Sequence, residues 1–314
     1  MRNTTIRYDA MTRPTRRECL AAALAAGGFG YAQPAPPRLP LGFSLYGMKS
    51  VPLPDALRTC AAVGYDGVEL ALLPGYATEP ARLTAADRGE LRGRLTDSGL
   101  SLLGLMENLA EPAADAAHRA NLDRLRAAAE LGHALSPDRP PPVETVLGGR
   151  PADWDAVKDR LAERLRAWAE VGRAARTVVA VKPHVGGALH TPAAAAWLVG
   201  QVNSPWLRLT FDHSHYALRG VAIEDAVRTV APLAAFAHVK DARGSAEKFE
   251  FLLPGEHGTN YAELVRLLTA AGYRGPVVVE VSAMLFNRAG YDPAAAARTS
   301  YANLAAAFGR PAKK

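Results

Sequence analysis

Residues 177–212 read TVVAVKPHVGGALHTPAAAAWLVGQVNSPWLRLTFD. The run at 177–182 is apolar and rich in valine, which predicts a buried strand. Thr191 and Pro192 then supply an N-cap and a first-turn proline, so we expect a helix to follow. The second apolar run, at 207–212, predicts another strand. A strand, a capped helix and a strand in this order predict a βαβ unit.

The same alternation of short apolar runs and Ala/Leu/Arg-rich helical stretches continues from residue 41 onward. Eight runs predict strands: 41–46, 66–71, 100–106, 142–147, 177–182, 207–212, 235–240 and 276–281. Thr84 and Asp87 predict a capping box, and glycines stand where helices should end, at 64, 99 and 272. Eight strand–helix units in roughly 270 residues predict a single-domain (β/α)8 TIM barrel, a fold of about 250 residues. A doubly wound sheet is the alternative, but it needs no eighth strand and usually carries a Gly-rich first turn, which is missing here.

The composition is that of an ordinary globular protein: 314 residues, 49% hydrophobic and 22% charged, with two cysteines. It excludes disordered, collagen-like and disulfide-scaffold classes. Of the formal charge of +6, half comes from residues 1–37 and half from the rest of the chain. The larger part carries no cluster of Lys and Arg, so we expect no nucleic-acid partner.

Residues 1–37 predict an export leader. A basic segment ends at Arg16-Arg17, an apolar run of small residues extends through Ala32, and a Pro-rich exit follows. The run is about half the ~20 residues that a membrane span needs, so we expect no stable membrane anchor. The paired arginines resemble a twin-arginine signal, and Gly30-Tyr31-Ala32 suits cleavage. We therefore expect a periplasmic protein in which residues 38–314 form the barrel.

TIM barrels carry their active sites at the carboxyl ends of the strands. Here those ends are rich in ionisable and hydrogen-bonding groups: Tyr46, Glu69, Glu107, Glu144, Lys182, His184, Asp212, His215, His238, Lys240, Asp241 and Glu280. Asp212, His238 and Glu280 belong to the last three predicted strands, so we expect them to converge at the barrel mouth. Two carboxylates and an imidazole form a ligand set for a divalent ion such as Mn²⁺, Mg²⁺ or Zn²⁺.

Three motifs add a resemblance. They are Asp212-His213-Ser214-His215 after strand six, His238-Val239-Lys240-Asp241 after strand seven, and the run from Gly272 that leads to Glu280. With them, residues 41 to about 305 resemble the xylose isomerase-like TIM barrels, the sugar phosphate isomerases/epimerases that include D-tagatose 3-epimerase.

The resemblance implies a divalent ion held by Glu, Asp, His and Glu on strands five to eight, with the two glutamates moving a proton between adjacent sugar carbons. The last three positions correspond to Asp212, His238 and Glu280. At the first position this chain has Lys182, followed by Pro183-His184.

Lys182 leaves several interpretations open. Without a metal, its ammonium group would form a salt bridge with the carboxylates and replace the cation. With a metal, Asp212, His238, Glu280 and a fourth ligand, His184, would hold an ion whose charge lowers the lysine pKa, so that the neutral amine acts as a base. A lysine that reaches out to solvent is the third interpretation. We favour the second, in which Glu280 and Lys182 are the catalytic residues.

Four further side chains are candidates for substrate binding. The resemblance implies that His215 hydrogen-bonds sugar hydroxyls and that Arg243 contacts sugar oxygens. Glu69 and Glu107, at the ends of strands two and three, could bind hydroxyls, although a Glu at a strand end can equally cap the next helix.

Together these observations favour a metal-assisted isomerase or epimerase that moves an α-proton of a small-molecule carbohydrate through an enediolate. A lyase or hydratase acting on an oxidised (keto) glycoside would use the same proton abstraction. A non-catalytic sugar-binding barrel is a third possibility, because the strand-five glutamate is missing. The AP endonucleases, which the resemblance covers more distantly, need more metal ligands and a DNA-binding face. A homo-oligomer is compatible with the sequence.

Overall fold

Eight parallel strands close into a barrel in this computed structural model, which describes residues 38–110 and 115–311. The barrel strands are β1 Leu41–Ser44, β2 Gly67–Ala71, β3 Ser101–Met106, β4 Val143–Val146, β5 Val179–Lys182, β6 Leu207–Asp212, β7 Ala234–Val239 and β10 Val277–Val279. They pair in chain order, and β10 closes the cylinder against β1. All eight predicted strands are confirmed to within two residues at each end. The predicted leader, residues 1–37, lies outside the described residues.

Helices follow the strands and cover the outside of the barrel. They are α1 Leu53–Val63, α2 Ala85–Asp97, α3 Asp115–Leu135, α4 Trp154–Ala175, α5 Pro192–Val202, α6 His213–Ala217, α7 Ile223–Val230, α8 Tyr261–Ala270, α9 Ala283–Phe286 and α10 Pro293–Leu304. The predicted caps are confirmed: Thr84 and Asp87 form a capping box, and the Thr191 hydroxyl accepts the Ala194 amide at 3.1 Å. Within the described ranges, every helix is too short or too polar to span a bilayer.

The barrel interior changes from apolar to polar along its axis. Ala180, Phe236 and Val278 form a small buried cluster inside the cylinder, and Gly104 lies so close to Phe236 that a Cβ at this position would be 2.7 Å from its ring. The Phe236 ring packs edge-on against the His238 imidazole, with 5.0 Å between the ring centroids. The apolar layer therefore lies inside the barrel directly next to the polar strand ends.

A β-hairpin that we did not predict follows β7 almost directly. Its strands, β8 Asp241–Gly244 and β9 Phe249–Leu252, pair antiparallel outside the barrel. The Asp241 carboxylate anchors the hairpin, because it accepts hydrogen bonds from the Tyr261 hydroxyl at 2.5 Å and the His257 amide at 2.6 Å. The hairpin thereby brings Phe249 and Phe251 to the mouth of the barrel.

Candidate active site

The three predicted metal ligands meet at the carboxyl end of the barrel. His238 on β7 pairs in register with Asp212 on β6 and with Val278 on β10. Glu280 follows Val278 by two residues and so lies on the same face of the strand. Ligand atoms of Asp212, His238 and Glu280 all lie within 4.8 Å of one another, and the three side chains are buried.

Lys182, the last residue of β5, lies within this cluster. Its Nζ is 3.0 Å from Glu280 Oε1, 3.0 Å from His238 Nδ1 and 3.8 Å from Glu144 Oε1. Although burial alone would lower the pKa of Lys182, the carboxylates of Glu144 and Glu280 raise it above its ordinary value. Lys182 is therefore an ammonium group among these carboxylates, and the neutral amine that we predicted beside a bound ion stays a prediction.

Lys240 supplies a second buried ammonium group, to which we assigned no role from the sequence. Its Nζ donates hydrogen bonds to Asp212 Oδ2 and Glu280 Oε2 and lies 4.9 Å from the centre of the Phe251 ring. Although burial alone would raise the pKa of Glu280, the two lysines hold it well below its ordinary value. Glu280 is thus a weak base between two cations.

Glu69 fixes the orientation of the His238 ring. His238 Nε2 is 3.0 Å from Glu69 Oε2, so Nε2 carries the proton that this carboxylate accepts. An ammonium group has only donors, so Nδ1 must accept from Lys182. Glu69 has no exposed surface and does not line the cavity at the barrel mouth. The hydroxyl binding that we predicted for it stays a prediction.

Two other carboxyl groups line the cavity. Burial raises the pKa of Glu144 to about 7, although Lys182 opposes the shift. Among the described residues, Glu144 Oε2 has no hydrogen-bond partner. Burial likewise raises the pKa of Glu107 to about 7, in spite of its ion pair with Arg124. Both groups can therefore exchange a proton near neutral pH.

The histidines form the adjacent wall. The rings of His184 and His215 lie 4.2 Å apart between centroids, and His215 Nε2 is 3.5 Å from Asp212 Oδ2. Burial lowers the pKa of His184 to about 4 and holds that of His215 well below its ordinary value, so both are neutral at pH 7. His184, predicted as the fourth metal ligand, is in neither group of potential ligands found among the described residues.

Arg243 lies apart from these groups. It is on β8, where it forms an ion pair with Glu250 across the hairpin, and more than half of its side chain is exposed. It does not line the cavity at the barrel mouth, and its predicted contact with sugar oxygens stays a prediction.

The cavity at the barrel mouth measures about 310 Å³. Its wall combines the polar strand ends with Tyr46, Phe249, Phe251 and Met284. A cavity wall that combines polar groups with aromatic rings is typical of a small-molecule site. A larger cavity of about 930 Å³ lies at the opposite end, where Arg38, Asp66 and Arg310 are among the residues that line it. TIM barrels place catalytic groups at the carboxyl end of the strands, so we assign the site to the smaller cavity.

The cluster does not fit a divalent ion while both lysines are protonated. Its oxygen and nitrogen donors are of the right kind, but each of the three side chains already contacts an ammonium group. A divalent cation 4 Å from a lysine nitrogen is repelled by about 8 kcal/mol at an effective dielectric constant of 20, which offsets the attraction of one carboxylate at the same distance. A second group of potential ligands, Glu69, Glu144 and His238, shares His238 and lies beside Lys182.

Similar structures share this architecture. An IOLI protein with a bound zinc atom superposes with a TM-score of 0.73 at 16% identity, covering 86% of this chain and 98% of that one. The 3-keto-D-glucoside 4-epimerase YcjR from E. coli gives a TM-score of 0.67 at 17% identity, with 84% and 98% covered. At these identities the similarity shows the fold alone.

A xylose isomerase-like TIM barrel/4-hydroxyphenylpyruvate dioxygenase fusion protein gives a TM-score of 0.69 at 21% identity over 86% of this chain. The chain covers only 43% of that fusion protein. A search of curated proteins finds no significant match. The model of the xylose isomerase-like TIM barrel family, however, matches residues 57–306. The chain therefore belongs to the xylose isomerase-like TIM barrel family.

Proposed function

We propose that this protein catalyses proton transfer at the carbon next to the carbonyl of an uncharged carbohydrate, which yields an isomer or epimer. One observation carries the proposal: the Glu144 carboxyl, with an unpartnered oxygen, lies 3.8 Å from the Lys182 ammonium group in the wall of the same cavity. A base beside a fixed cation is what removal of an α-proton requires, because negative charge moves onto the carbonyl oxygen as the proton leaves.

Each charged group then has a role that follows from its charge and its position in the cavity wall. Glu144 takes the proton, because a pKa of about 7 lets it both accept and return a proton at neutral pH. Lys182 and Lys240 stabilise the enediolate oxygens, since their ammonium groups face the cavity. Glu280 holds both lysines in position. This assignment replaces the predicted shuttle between Glu280 and Lys182, and it requires no divalent ion.

The charge of the cavity wall favours an uncharged substrate. Lys182 and Lys240 are the two basic residues among the described side chains that line it, apart from the neutral histidines. Both form ion pairs with Asp212 or Glu280. No uncompensated cation is left in this wall for a phosphate group, so a free sugar or a keto glycoside suits it better.

Elimination from a keto glycoside is the second candidate. A lyase needs an acid for the leaving group in addition to the base that takes the α-proton. Glu107, whose pKa is also raised to about 7, lines the cavity from the strand next to that of Glu144 and could supply this acid. The same pair of carboxyl groups would also serve an epimerase with one group on each face of the carbon.

Proton exchange in D₂O tests the proposal. The protein is incubated with neutral ketohexoses and 3-keto glucosides, and the products are followed by NMR. Deuterium at the α-carbon together with a new epimer or isomer supports the leading proposal, whereas an unsaturated product supports elimination. A sugar that gives saturation-transfer signals with the protein but never gains deuterium would indicate binding without catalysis. That result would contradict both the isomerase and the lyase proposals.

Export stays a prediction from the sequence of residues 1–37, with Arg16-Arg17 as the deciding pair. We expect the full chain to reach the periplasm of a host with a twin-arginine pathway, because that pathway requires the arginine pair. Changing both arginines to lysine should retain the protein in the cytoplasm. Cell fractionation and immunoblotting check this, and equal export of both forms would rule out the twin-arginine route.

A further inference from the structure

We infer that the ammonium groups of Lys182 and Lys240 take the place of a divalent cation in this barrel, so that the cluster of Asp212, His238 and Glu280 works without bound metal. The inference concerns what occupies the cluster and does not depend on the reaction proposed above.

Lys182 occupies the lone pairs with which two of the three side chains would bind a metal. Its Nζ lies 3.0 Å from both Glu280 Oε1 and His238 Nδ1. Because Glu69 holds a proton on His238 Nε2, the Nδ1 lone pair is the one that faces the cluster. That lone pair already accepts a hydrogen bond from Lys182, so binding a metal there requires Lys182 to leave.

Lys240 likewise occupies the carboxylate oxygens of the cluster that Lys182 does not contact. It donates to Asp212 Oδ2 and Glu280 Oε2 together and so bridges the two carboxylates as a cation would. The other oxygen of Asp212, Oδ1, accepts the Ser214 hydroxyl at 2.6 Å and the Ser214 amide at 3.1 Å. Each carboxylate oxygen of the cluster thus accepts at least one hydrogen bond from a protein donor.

Neither lysine is free to swing away. Both are only 4% exposed. Lys182 is surrounded by Glu280, His238 and Glu144, and Lys240 packs against the Phe251 ring as well as its two carboxylates. Displacing either would leave an ammonium group in the barrel without its partners, which is costly for a buried charge.

The charges lead to the same conclusion. The two ammonium groups balance the two carboxylates that they contact, Asp212 and Glu280. A divalent cation added to these four side chains would bring their net charge from zero to +2, and the two nearby carboxylates, Glu69 and Glu144, already contact His238 and Lys182. Lys182 is the deciding residue, because a carboxylate at its position would remove one positive charge and add an oxygen donor beside Glu280 and His238.

Measurement of metal bound to the purified protein tests the inference. Wild-type protein and the His238→Ala variant are treated with chelator, dialysed against 0.1 mM MnCl₂ or ZnCl₂, and analysed by mass spectrometry for bound metal. The measured quantity is the metal that depends on His238, the difference between the two proteins. We expect fewer than about 0.1 equivalents, and one equivalent would overturn the inference.

Lys182→Glu supplies the converse test. We expect it to bind about one equivalent of Mn²⁺ or Zn²⁺ with an affinity at least 100-fold above that of the wild type, measured by titration calorimetry, and to lose it again when His238→Ala is added. Lys248→Glu, the same charge change at an exposed position, should bind no more metal than the wild type. If Lys182→Glu folds, by circular dichroism, and still binds none, Lys182 is not the deciding residue. These readouts count metal and not turnover, so failure of the proposed reaction would leave them unchanged.

Discussion

Glu144 is the residue whose surroundings best suit a general base. Its carboxyl is buried in the cavity wall, and burial raises its pKa to about 7. We expect Glu144→Gln to lower kcat/KM for deuterium exchange by about 100-fold or more, the usual contribution of a positioned base. The base acts as a carboxylate, so wild-type activity should be present above pH 7 and fall as the pH drops through about 7.

Glu107→Gln is the matched control, because Glu107 has a similarly raised pKa and lines the same cavity. If Glu144 is the base, Glu107→Gln retains the fall in activity below pH 7 and Glu144→Gln loses it. The opposite result, in pH profiles of kcat/KM measured for both variants, would assign the base to Glu107.

Glu280 determines the stability of the buried ion pairs. It contacts both Lys182 and Lys240, so Glu280→Gln leaves Lys240 with Asp212 and Lys182 with Glu144 as the remaining carboxylate partner. We expect the free energy of unfolding to fall by about 3–5 kcal/mol, the usual cost of removing one partner from a buried pair. Urea unfolding at pH 7 measures it.

The double variant Lys182→Met/Glu280→Gln separates charge from packing. It removes one positive and one negative charge together, so it should recover part of the stability that Glu280→Gln loses. Glu250→Gln, in an exposed pair on the hairpin, should change stability much less. A Glu280→Gln protein as stable as the wild type would show that the lysines do not depend on this carboxylate.

The positions of individual side chains could be predicted only where the register of the strand could also be predicted. Lys240 follows His238 by two residues, so alternation along the strand alone places both on the inner face. Glu69 lies two residues before the end of β2 at Ala71, as in the predicted strand, and at this depth it contacts the His238 ring. Arg243 lies away from the cavity wall because the chain turns into a hairpin at Asp241, and no local pattern in the sequence indicates the orientation of that hairpin.

At the scale of elements, the hairpin β8–β9 forms the aromatic side of the cavity. Its sequence, DARGSAEKFEFL, contains many charged residues and two phenylalanines at alternate positions. From this pattern we did not predict a strand pair beyond the end of β7. The eight barrel strands were easier to predict because each is a buried apolar run next to a capped helix. The hairpin is half-exposed and depends on Asp241 accepting from Tyr261 and His257, two contacts distant in sequence.

Gly244 is the position at which the hairpin is most sensitive to substitution. Its φ is +110°, and a Cβ there would lie 2.2 Å from the Lys248 carbonyl oxygen. Gly244→Ala must therefore shift the hairpin, and with it Phe249 and Phe251. We expect KM to rise about tenfold, equivalent to about 1.4 kcal/mol of lost binding, with a smaller change in kcat.

Gly220→Ala is the control for the backbone conformation alone. Gly220 also has a positive φ, +71°, but a Cβ there would meet no atom within 4 Å. Steady-state kinetics of the two variants should show the rise in KM for Gly244→Ala only. Equal changes in both variants would mean that the hairpin does not contribute to substrate binding.

At the scale of the whole molecule, the two ends of the barrel differ in the groups that they carry. The carboxyl ends of the strands carry the ionisable cluster, whereas the other end is held by an ion pair between residues far apart in sequence. Arg310, after the last helix, donates to Asp66 Oδ1 at 2.6 Å and to the Leu39 carbonyl at 3.1 Å. Asp66 also accepts the Leu41 amide at 2.7 Å, so Arg310 ties the C-terminal segment to the start of β1.

This separation predicts a variant that loses stability without losing chemistry. Arg310→Gln removes a guanidinium group that is 11% exposed and paired to Asp66, so we expect a loss of about 1.5–3 kcal/mol, the range for hydrogen bonds to charged groups. For a chain of this size the melting temperature should fall by about 3–10 °C. Because the pair lies at the end of the barrel opposite the cavity, kcat for deuterium exchange at 25 °C should stay within twofold of the wild type. Thermal melts followed by circular dichroism and exchange assays on the same preparation check both parts. A fall in kcat at an unchanged melting temperature would show that the two ends are coupled and that the active site extends beyond the strand ends described above.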